Sequence, residues 1–196
     1  MTGPRSGKRV LRESLLAARA ARPEPERVRA DAALAAAARR LVAGAARVAG
    51  YAPMPGEPGG PTLPDALASA LPPGGLLLPV LRPDRDLDWA AYTGTLSQGG
   101  AIRALREPPG PRLGIEAIAT AEIVFVPALA VDGTGARLGR GGGSYDRALT
   151  RVRPDVPVIA LLYADELVPA VPTEPHDRPV TAVLTPDGLV DLRGPR

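Results

Sequence analysis

The chain has 196 residues, 45% apolar and 23% charged, which is the balance of a folded globular protein and excludes a disordered one. Aromatics make up only 3%, so Ala, Val, Leu and Ile must build the core, and base stacking is excluded as a major binding mode. With 24 basic and 21 acidic residues the formal net charge is +3 and the pI is near 9.8. That small excess is spread along the chain, so the expectation is a solvated surface with one anionic small-molecule site and no nucleic-acid partner.

In chain order, residues Lys8 to Ala21 have helical spacing, with Val10, Leu11, Leu15 and Ala18 recurring among Lys8, Arg9, Arg12 and Arg19. Pro23 and Pro25 interrupt, and a second helix is predicted from Glu26 to Ala43, with Val28, Ala32, Leu34, Ala35 and Leu41 for its buried side and Gly44 as its stop. Arg47–Ala52 reads as a short strand, ended by Pro53 and Pro55. Pro55–Pro61 is a Gly/Pro loop carrying one carboxylate, Glu57. Leu63–Leu71 is predicted helical and Leu76–Leu81 is an apolar run of buried-strand length. Arg82–Pro111 is the least readable stretch, with room for a hairpin around Leu87–Tyr92. Ile123–Pro127 is the clearest strand, continuous and β-branched as a strand covered on both faces should be. A glycine-rich loop follows after a short connection, then a helix over Tyr145–Val152, strands over Val156–Tyr163 and Val180–Leu184, and a terminal hairpin made by Gly188–Leu192.

Strands alternating with helices predict an α/β fold, a three-layer α/β/α arrangement with a mostly parallel central sheet and N-terminal helices, in one domain spanning 1–196. No run reaches membrane-spanning length, and the basic N-terminus leads into Leu11-Arg12-Glu13-Ser14 rather than an apolar segment. A cytoplasmic monomer without membrane contact is expected. The absence of cysteine excludes disulfides, thiolate chemistry and Cys-based zinc. A single histidine, His176, excludes a His-rich centre, so any bound metal should be a hard cation such as magnesium, held by carboxylates and phosphate.

The segment Arg137-Leu138-Gly139-Arg140-Gly141-Gly142-Gly143-Ser144-Tyr145-Asp146 carries the chemistry. Successive glycines let backbone N–H groups line a concavity, a following helix N-terminus adds partial positive charge, and Arg137 and Arg140 offer forked cations suited to phosphate oxygens. Asp146 stands where a carboxylate could hold magnesium. The segment is neither a P-loop nor a dinucleotide fingerprint, since the Gly-Lys-Ser/Thr ending and the third-glycine spacing are missing. By itself it is equally compatible with a surface turn. Taken singly, Lys8 and Arg12 read as solvated helix cations, Glu57 as an exposed loop carboxylate and Asp177 as a partner of Arg178. His176 reads as a surface residue, and Trp89 and Tyr92 as packing.

Their shared order changes the reading. The run from Val126-Pro127 through Asp132 to Gly135-Ala136-Arg137-Leu138-Gly139-Arg140-Gly141-Gly142-Gly143-Ser144-Tyr145-Asp146-Arg147 resembles the signature of the 5-formyltetrahydrofolate cyclo-ligase family. Lys8-Arg9-Val10-Leu11-Arg12 is similar to that family's N-terminal Lys-x-x-x-Arg, Glu57 to its Glu after the first strand, Glu107-Pro108 to its Glu-Pro, and Pro172–Asp177 to its Pro-x-Glu-x-His-Asp. The resemblance covers nearly the whole chain. It implies an enzyme that uses ATP and Mg2+ to convert 5-formyltetrahydrofolate to 5,10-methenyltetrahydrofolate, with phosphorylation of the formyl oxygen, attack by N10, and release of ADP and phosphate.

The resemblance further implies that Lys8, Arg12 and Arg137 through Tyr145 (Leu138, Gly139, Arg140, Gly141, Gly142, Gly143 and Ser144 among them) bind ATP. Glu57, Ala52 and Arg140–Ser144 would contact the folate, Asp146 and Asp177 would bind magnesium, and Arg137, Arg140 and Tyr145 would act in catalysis. Two departures stand out. Ser144 replaces the first aromatic of the usual Tyr-Tyr-Asp, and the short Glu-x-x-Thr segment is here the longer Glu57-Pro58-Gly59-Gly60-Pro61-Thr62. That leaves Tyr51, Trp89, Tyr92 and Tyr163 as the other candidates to stack on a pterin. The alternatives are an ATP-dependent ligase or kinase acting on another substrate, or a non-catalytic nucleotide- or RNA-binding protein.

Overall fold

A computed structural model describes residues 4–102 and 104–194. Two helices open the chain, α1 (Pro4–Ala21) and α2 (Glu24–Leu41). They lead into β1 (Val48–Ala49), α3 (Leu63–Ala68), and the antiparallel pair β2 (Leu76–Leu81) and β3 (Leu87–Ala91). A small hairpin follows, β4 (Ser97–Gln98) with β5 (Arg106–Glu107), then a 3-10 turn over Ile115–Thr120 and β6 (Ile123–Pro127). Next come β7 (Ala130–Asp132), β8 (Arg137–Leu138), α4 (Ser144–Leu149) and β9 (Val158–Leu161). The chain ends through β10 (Leu167–Val168), β11 (Ala182–Thr185) and β12 (Gly188–Asp191).

The main sheet has seven strands in the order β12-β11-β9-β6-β1-β2-β3. Its interior strands run parallel, and only the edge strands β12 and β3 are antiparallel. The predicted α/β fold with a mostly parallel sheet is therefore present, and so is the terminal hairpin; Leu87–Ala91 is a single strand that pairs back onto β2, and the hairpin within Arg82–Pro111 is β4–β5. Side chains along the central strands divide by the period of two. Ala49, Leu77, Val124, Val126, Val158, Ala160 and Val183 enter the core on one face. Val48, Leu76, Leu78, Phe125, Ile159, Leu161 and Leu184 enter the core on the other. Each fully buried Val, Leu, Ile or Phe among them contributes about 1.5–3 kcal/mol relative to exposure. Helices α2 and α3 cover the second face through Leu34, Ala35, Leu63 and Leu67. The first face has a thinner cover, the 3-10 turn with Ile118 and α4 with Ala148 and Leu149. No helix among the described residues is long and apolar enough to cross a membrane.

Three expectations need correction. Val28, assigned to the buried side of the second helix, is 56% exposed, and Val10, part of the apolar spacing of the first, is 57% exposed. The inward stripe of α1 is instead Lys8, Leu11, Leu15, Leu16 and Arg19, because charge pairing as well as apolar spacing sets its docking face. The predicted strand over Arg47–Ala52 shrinks to Val48–Ala49, and beyond it the chain turns into the Glu57 loop. The short connection predicted between the Ile123–Pro127 strand and the glycine loop is itself structured. In it β7 pairs with β8 and with β10 in a separate small sheet, on which Leu11, Leu15 and Leu16 of α1 pack.

Arg19 of α1 is anchored by Glu166, whose carboxylate accepts from Arg19 Nε at 2.6 Å and Nη2 at 2.7 Å, while Ala128 O accepts from the same Nη2 at 2.6 Å. Both side chains of the pair are almost fully buried. Removing one partner of such a pair strands the other charge in a low-dielectric site. Arg19→Ala is expected to cost about 3–5 kcal/mol in equilibrium urea unfolding, and the double change Arg19→Met with Glu166→Leu should recover most of that loss.

Candidate active site

The parallel strands set the position of the site. From β1 the chain moves to β2 on one side and later to β6 on the other, so the strand order reverses at the β1/β6 boundary. Ligands in open α/β sheets bind beyond the carboxyl ends of strands at such a boundary. Here the carboxyl ends lead into Tyr51 and Ala52 after β1 and Ala128 after β6, which line a cavity of about 1060 Å³. The same wall includes Lys8, Arg12, Glu57, the run Arg137–Arg147 and Asp177. Every residue assigned from the sequence to ATP, folate, metal or catalysis lies on this one cavity, whereas of the four further stacking candidates only Tyr51 does.

The hairpin β7–β8 aims the glycine loop. Asp132, only 5% exposed, accepts hydrogen bonds from Thr134 N and Oγ1, Ala136 N and Val171 N. Burial alone would raise its pKa, but these donors outweigh burial and hold it below the usual carboxylate value. The turn is thereby locked, and Arg137 leaves it buried on β8.

The loop is ringed by guanidinium groups. A β-carbon on Gly139 would lie 3.0 Å from Arg137 Nη1, one on Gly141 3.4 Å from Arg12, and one on Gly143 3.3 Å from Arg147 Nη1. Gly141 also has φ of +94°, so a side chain there is opposed by both space and backbone. Arg12 donates from Nε to Gly139 O at 3.0 Å, and Arg140 from Nε to Glu57 Oε1 at 2.8 Å. Neither uses its Nη groups on protein acceptors among the described residues, so both offer unpaired N–H donors to an oxyanion. The helix N-terminus expected to assist is a minor contributor, because α4 spans six residues and full charges stand closer.

The acids are arranged against these cations. Arg137 Nη2 donates to Asp146 Oδ1 at 2.8 Å, and Arg178 N donates to the same oxygen at 3.2 Å. Lys8 Nζ donates to Asp177 Oδ2 at 2.6 Å and Glu174 Oε2 at 3.0 Å. Burial works against the Lys8 ammonium, yet Asp177 and Glu174 together raise its pKa, so it stays charged. Asp146 Oδ2 and Asp177 Oδ1 accept no hydrogen bond among the described residues. Free carboxylate oxygens suit a hard cation, which takes them together with phosphate, although Asp146 does not belong to the group whose ligand atoms converge. Glu174, His176 and Asp177 also bring ligand atoms within 4.8 Å of one another.

Several single-residue expectations are overturned. Glu57 is not an exposed loop carboxylate but is 5% exposed, held by Arg140 and by Met54 N at 2.9 Å to Oε2. Asp177 pairs with Lys8 rather than Arg178. Of the aromatics considered for stacking, Trp89 and Tyr163 are buried in the core and Tyr92 donates to Asp65, which leaves Tyr51 on the cavity wall. Tyr145 joins it there. Its phenol has no hydrogen-bond partner among the described residues, and burial, with repulsion from Glu57, pushes its pKa well above the usual tyrosine value. Ser144 lines the cavity with an equally unpartnered hydroxyl. Glu174 and Arg147 were not picked out from the sequence. Glu174 stood within the quoted Pro-x-Glu-x-His-Asp segment and Arg147 at the end of the signature run, so membership of a motif without an assigned role was the only signal for either.

Comparison with known proteins gives the family. Residues 4–186 match the model of the 5-formyltetrahydrofolate cyclo-ligase family. The chain belongs to that family. A 5-formyltetrahydrofolate cyclo-ligase from Mycolicibacterium smegmatis is 44% identical over 97% of this chain and 99% of its own. The NMR structure of Aquifex aeolicus 5,10-methenyltetrahydrofolate synthetase is 26% identical, with a TM-score of 0.75 over 96% of this chain and 94% of that one. The 5,10-methenyltetrahydrofolate synthetase of Mycoplasma pneumoniae shares the fold, with a TM-score of 0.71 at 16% identity over 91% of this chain and 98% of its own.

Because the Tyr145 phenol holds its proton, it can donate a hydrogen bond but cannot serve as a base near neutral pH. Tyr145→Phe is expected to lower cyclo-ligase turnover by about tenfold, the loss of one hydrogen bond, and to leave both limbs of the pH–rate profile below about pH 9 in place. A shifted limb would contradict this assignment.

Proposed function

We propose that this protein converts 5-formyltetrahydrofolate to 5,10-methenyltetrahydrofolate, consuming ATP and releasing ADP and phosphate. The observation that carries the reading is the facing of two loops across one cavity, the arginine-ringed glycine loop on one side and the buried Glu57 carboxylate on the other, joined by Arg140. Family membership supplies the reaction, and the residue types suit it. Phosphoryl transfer needs positioned cations more than a protein nucleophile.

In this reading the formyl oxygen attacks the γ-phosphorus and ADP leaves. N10 then attacks the formyl carbon, the phosphate departs with the former formyl oxygen, and N10 loses its proton as the ring closes. Arg12 and Arg140 place their open N–H donors on phosphate oxygens, where negative charge is redistributed during transfer. Arg137, buried between Pro127 O and Asp146, is a fixed cation that pays little reorganisation. Lys8 balances Asp177 and Glu174 at the far end. Glu57 accepts hydrogen bonds from the pterin ring, and Tyr145 donates to the reacting groups. Asp146 and Asp177 would hold magnesium, which when bound supplies positive charge to the phosphate oxygens.

The test is direct. With 5-formyltetrahydrofolate and MgATP the purified protein should generate the methenyl product, seen as new absorbance, and omission of ATP or addition of a chelator should abolish it. No product from folded protein would refute the assignment. Asp146→Asn should lower turnover by about 10- to 100-fold, with the deficit largest at limiting magnesium. A second reading, ATP-dependent transfer to a different acceptor, draws on Ser144, which puts a hydroxyl where the family carries a ring. ADP release without methenyl product would favour it.

A further inference from the structure

We infer that Asp31, on the sheet-facing side of α2, is a positioning residue for the folate end of the site. It would act by seating the loop that carries Glu57. The inference rests on the reading of Glu57 as a substrate contact.

The loop is the segment that departs from the family's short Glu-x-x-Thr, and its extra length folds inward. Glu57, Pro58, Gly59 and Gly60 are all buried. Buried backbone donors need acceptors, and a Pro/Gly turn supplies few of its own. Asp31 Oδ1 accepts from Gly59 N at 3.0 Å. The approach is close, because a β-carbon on Gly60, at φ of +62°, would sit 3.0 Å from Asp31 Oδ2. The carboxylate therefore lies against the turn with no side chain between.

Asp31 is itself fixed. Tyr163 Oη donates to the same Oδ1 at 3.1 Å, and Tyr163 is only 1% exposed. The Tyr163 backbone N donates to Glu166 Oε2 at 3.0 Å, and Glu166 is the buried partner of Arg19. The Arg22 guanidinium lies 4.5 Å from the centre of the Tyr163 ring. A rigid chain thus runs from α1 through Glu166, Tyr163 and Asp31 to Gly59, two residues beyond Glu57. One residue earlier, Tyr51 Oη donates to Pro58 O at 2.9 Å. Without Asp31 the turn keeps the tyrosine anchor but loses the acceptor that draws Gly59 inward, and Glu57 is no longer held at the depth where Arg140 and the substrate meet it. ATP contacts lie across the cavity on the glycine loop, so the two substrates should respond differently.

The test is steady-state kinetics on Asp31→Ala and Asp31→Asn, varying each substrate in turn, with hydrogen–deuterium exchange over residues 54–62. Asp31→Ala should raise KM for 5-formyltetrahydrofolate roughly tenfold, the scale of one buried hydrogen bond, with KM for ATP changed by less than about twofold. Exchange at Gly59 should accelerate. Asp31→Asn keeps an acceptor oxygen and should restore both. If Asp31→Ala does not fold, Asp31→Glu keeps the charge but pushes the turn outward, and should raise the folate KM alone. Equal rises in both KM values, an unchanged folate KM, or no rescue by Asn would overturn the inference. A wild-type protein without turnover would instead refute the functional reading, and the exchange measurement would still decide whether Asp31 seats the loop.

Discussion

The docking of α1 through buried cations is the constraint on which the rest of the site depends. Lys8, Arg12 and Arg19 lie along the inward side of one helix, and Lys8 and Arg19 are buried. A buried cation without a partner is strongly unfavourable. The partners are Glu174 and Asp177, Gly139 O, and Glu166 with Ala128 O, which come from four places far along the chain. α1 seats where the fold brings those places together. Once it does, the glycine loop and the C-terminal acidic segment are tied to the same rod. The N-terminal helix thereby makes a rigid wall of the cavity.

Charge in the cavity is partly paired rather than simply positive. Arg137 has Asp146, Lys8 has Asp177 and Glu174, and Arg140 has Glu57. Each pair keeps spare capacity, either open guanidinium N–H groups or an unused carboxylate oxygen. That spare capacity suits a ligand carrying both phosphates and hydrogen-bond donors. A cavity lined only by arginines would attract anions but would give no purchase to a pterin. In the proposed reading Glu57 and the glycine loop supply the two halves, and Arg140 links them.

The sheet strands were legible because a buried parallel strand is a short continuous apolar run, and Leu76–Leu81 and Ile123–Pro127 are of that kind. The helices were legible in extent but not in face. Val10 and Val28 fit apolar spacing and still point to solvent, since spacing says nothing of where a buried acid will stand. The β7–β8 hairpin went unread because its strands are two and three residues long, below the length at which a period shows. Glu57 looked exposed because Gly/Pro loops usually are, and its burial comes from Arg140 and the turn packed on α2.

The sequence by itself determined that the core is aliphatic, that the strands are largely parallel, that no thiol chemistry occurs, and that a glycine loop flanked by arginines sits among segments in the family's order. Those are properties of composition and local pattern. Tertiary structure alone decided which cation meets which acid, that Asp146 orients Arg137 while Asp177 faces Lys8, and that Asp31 stands behind the Glu57 loop. These pairings join residues up to 169 positions apart. They depend on the geometry of the sheet edge, because charges in water pay little attention to sequence distance and charges in a cavity must find the partner the fold delivers.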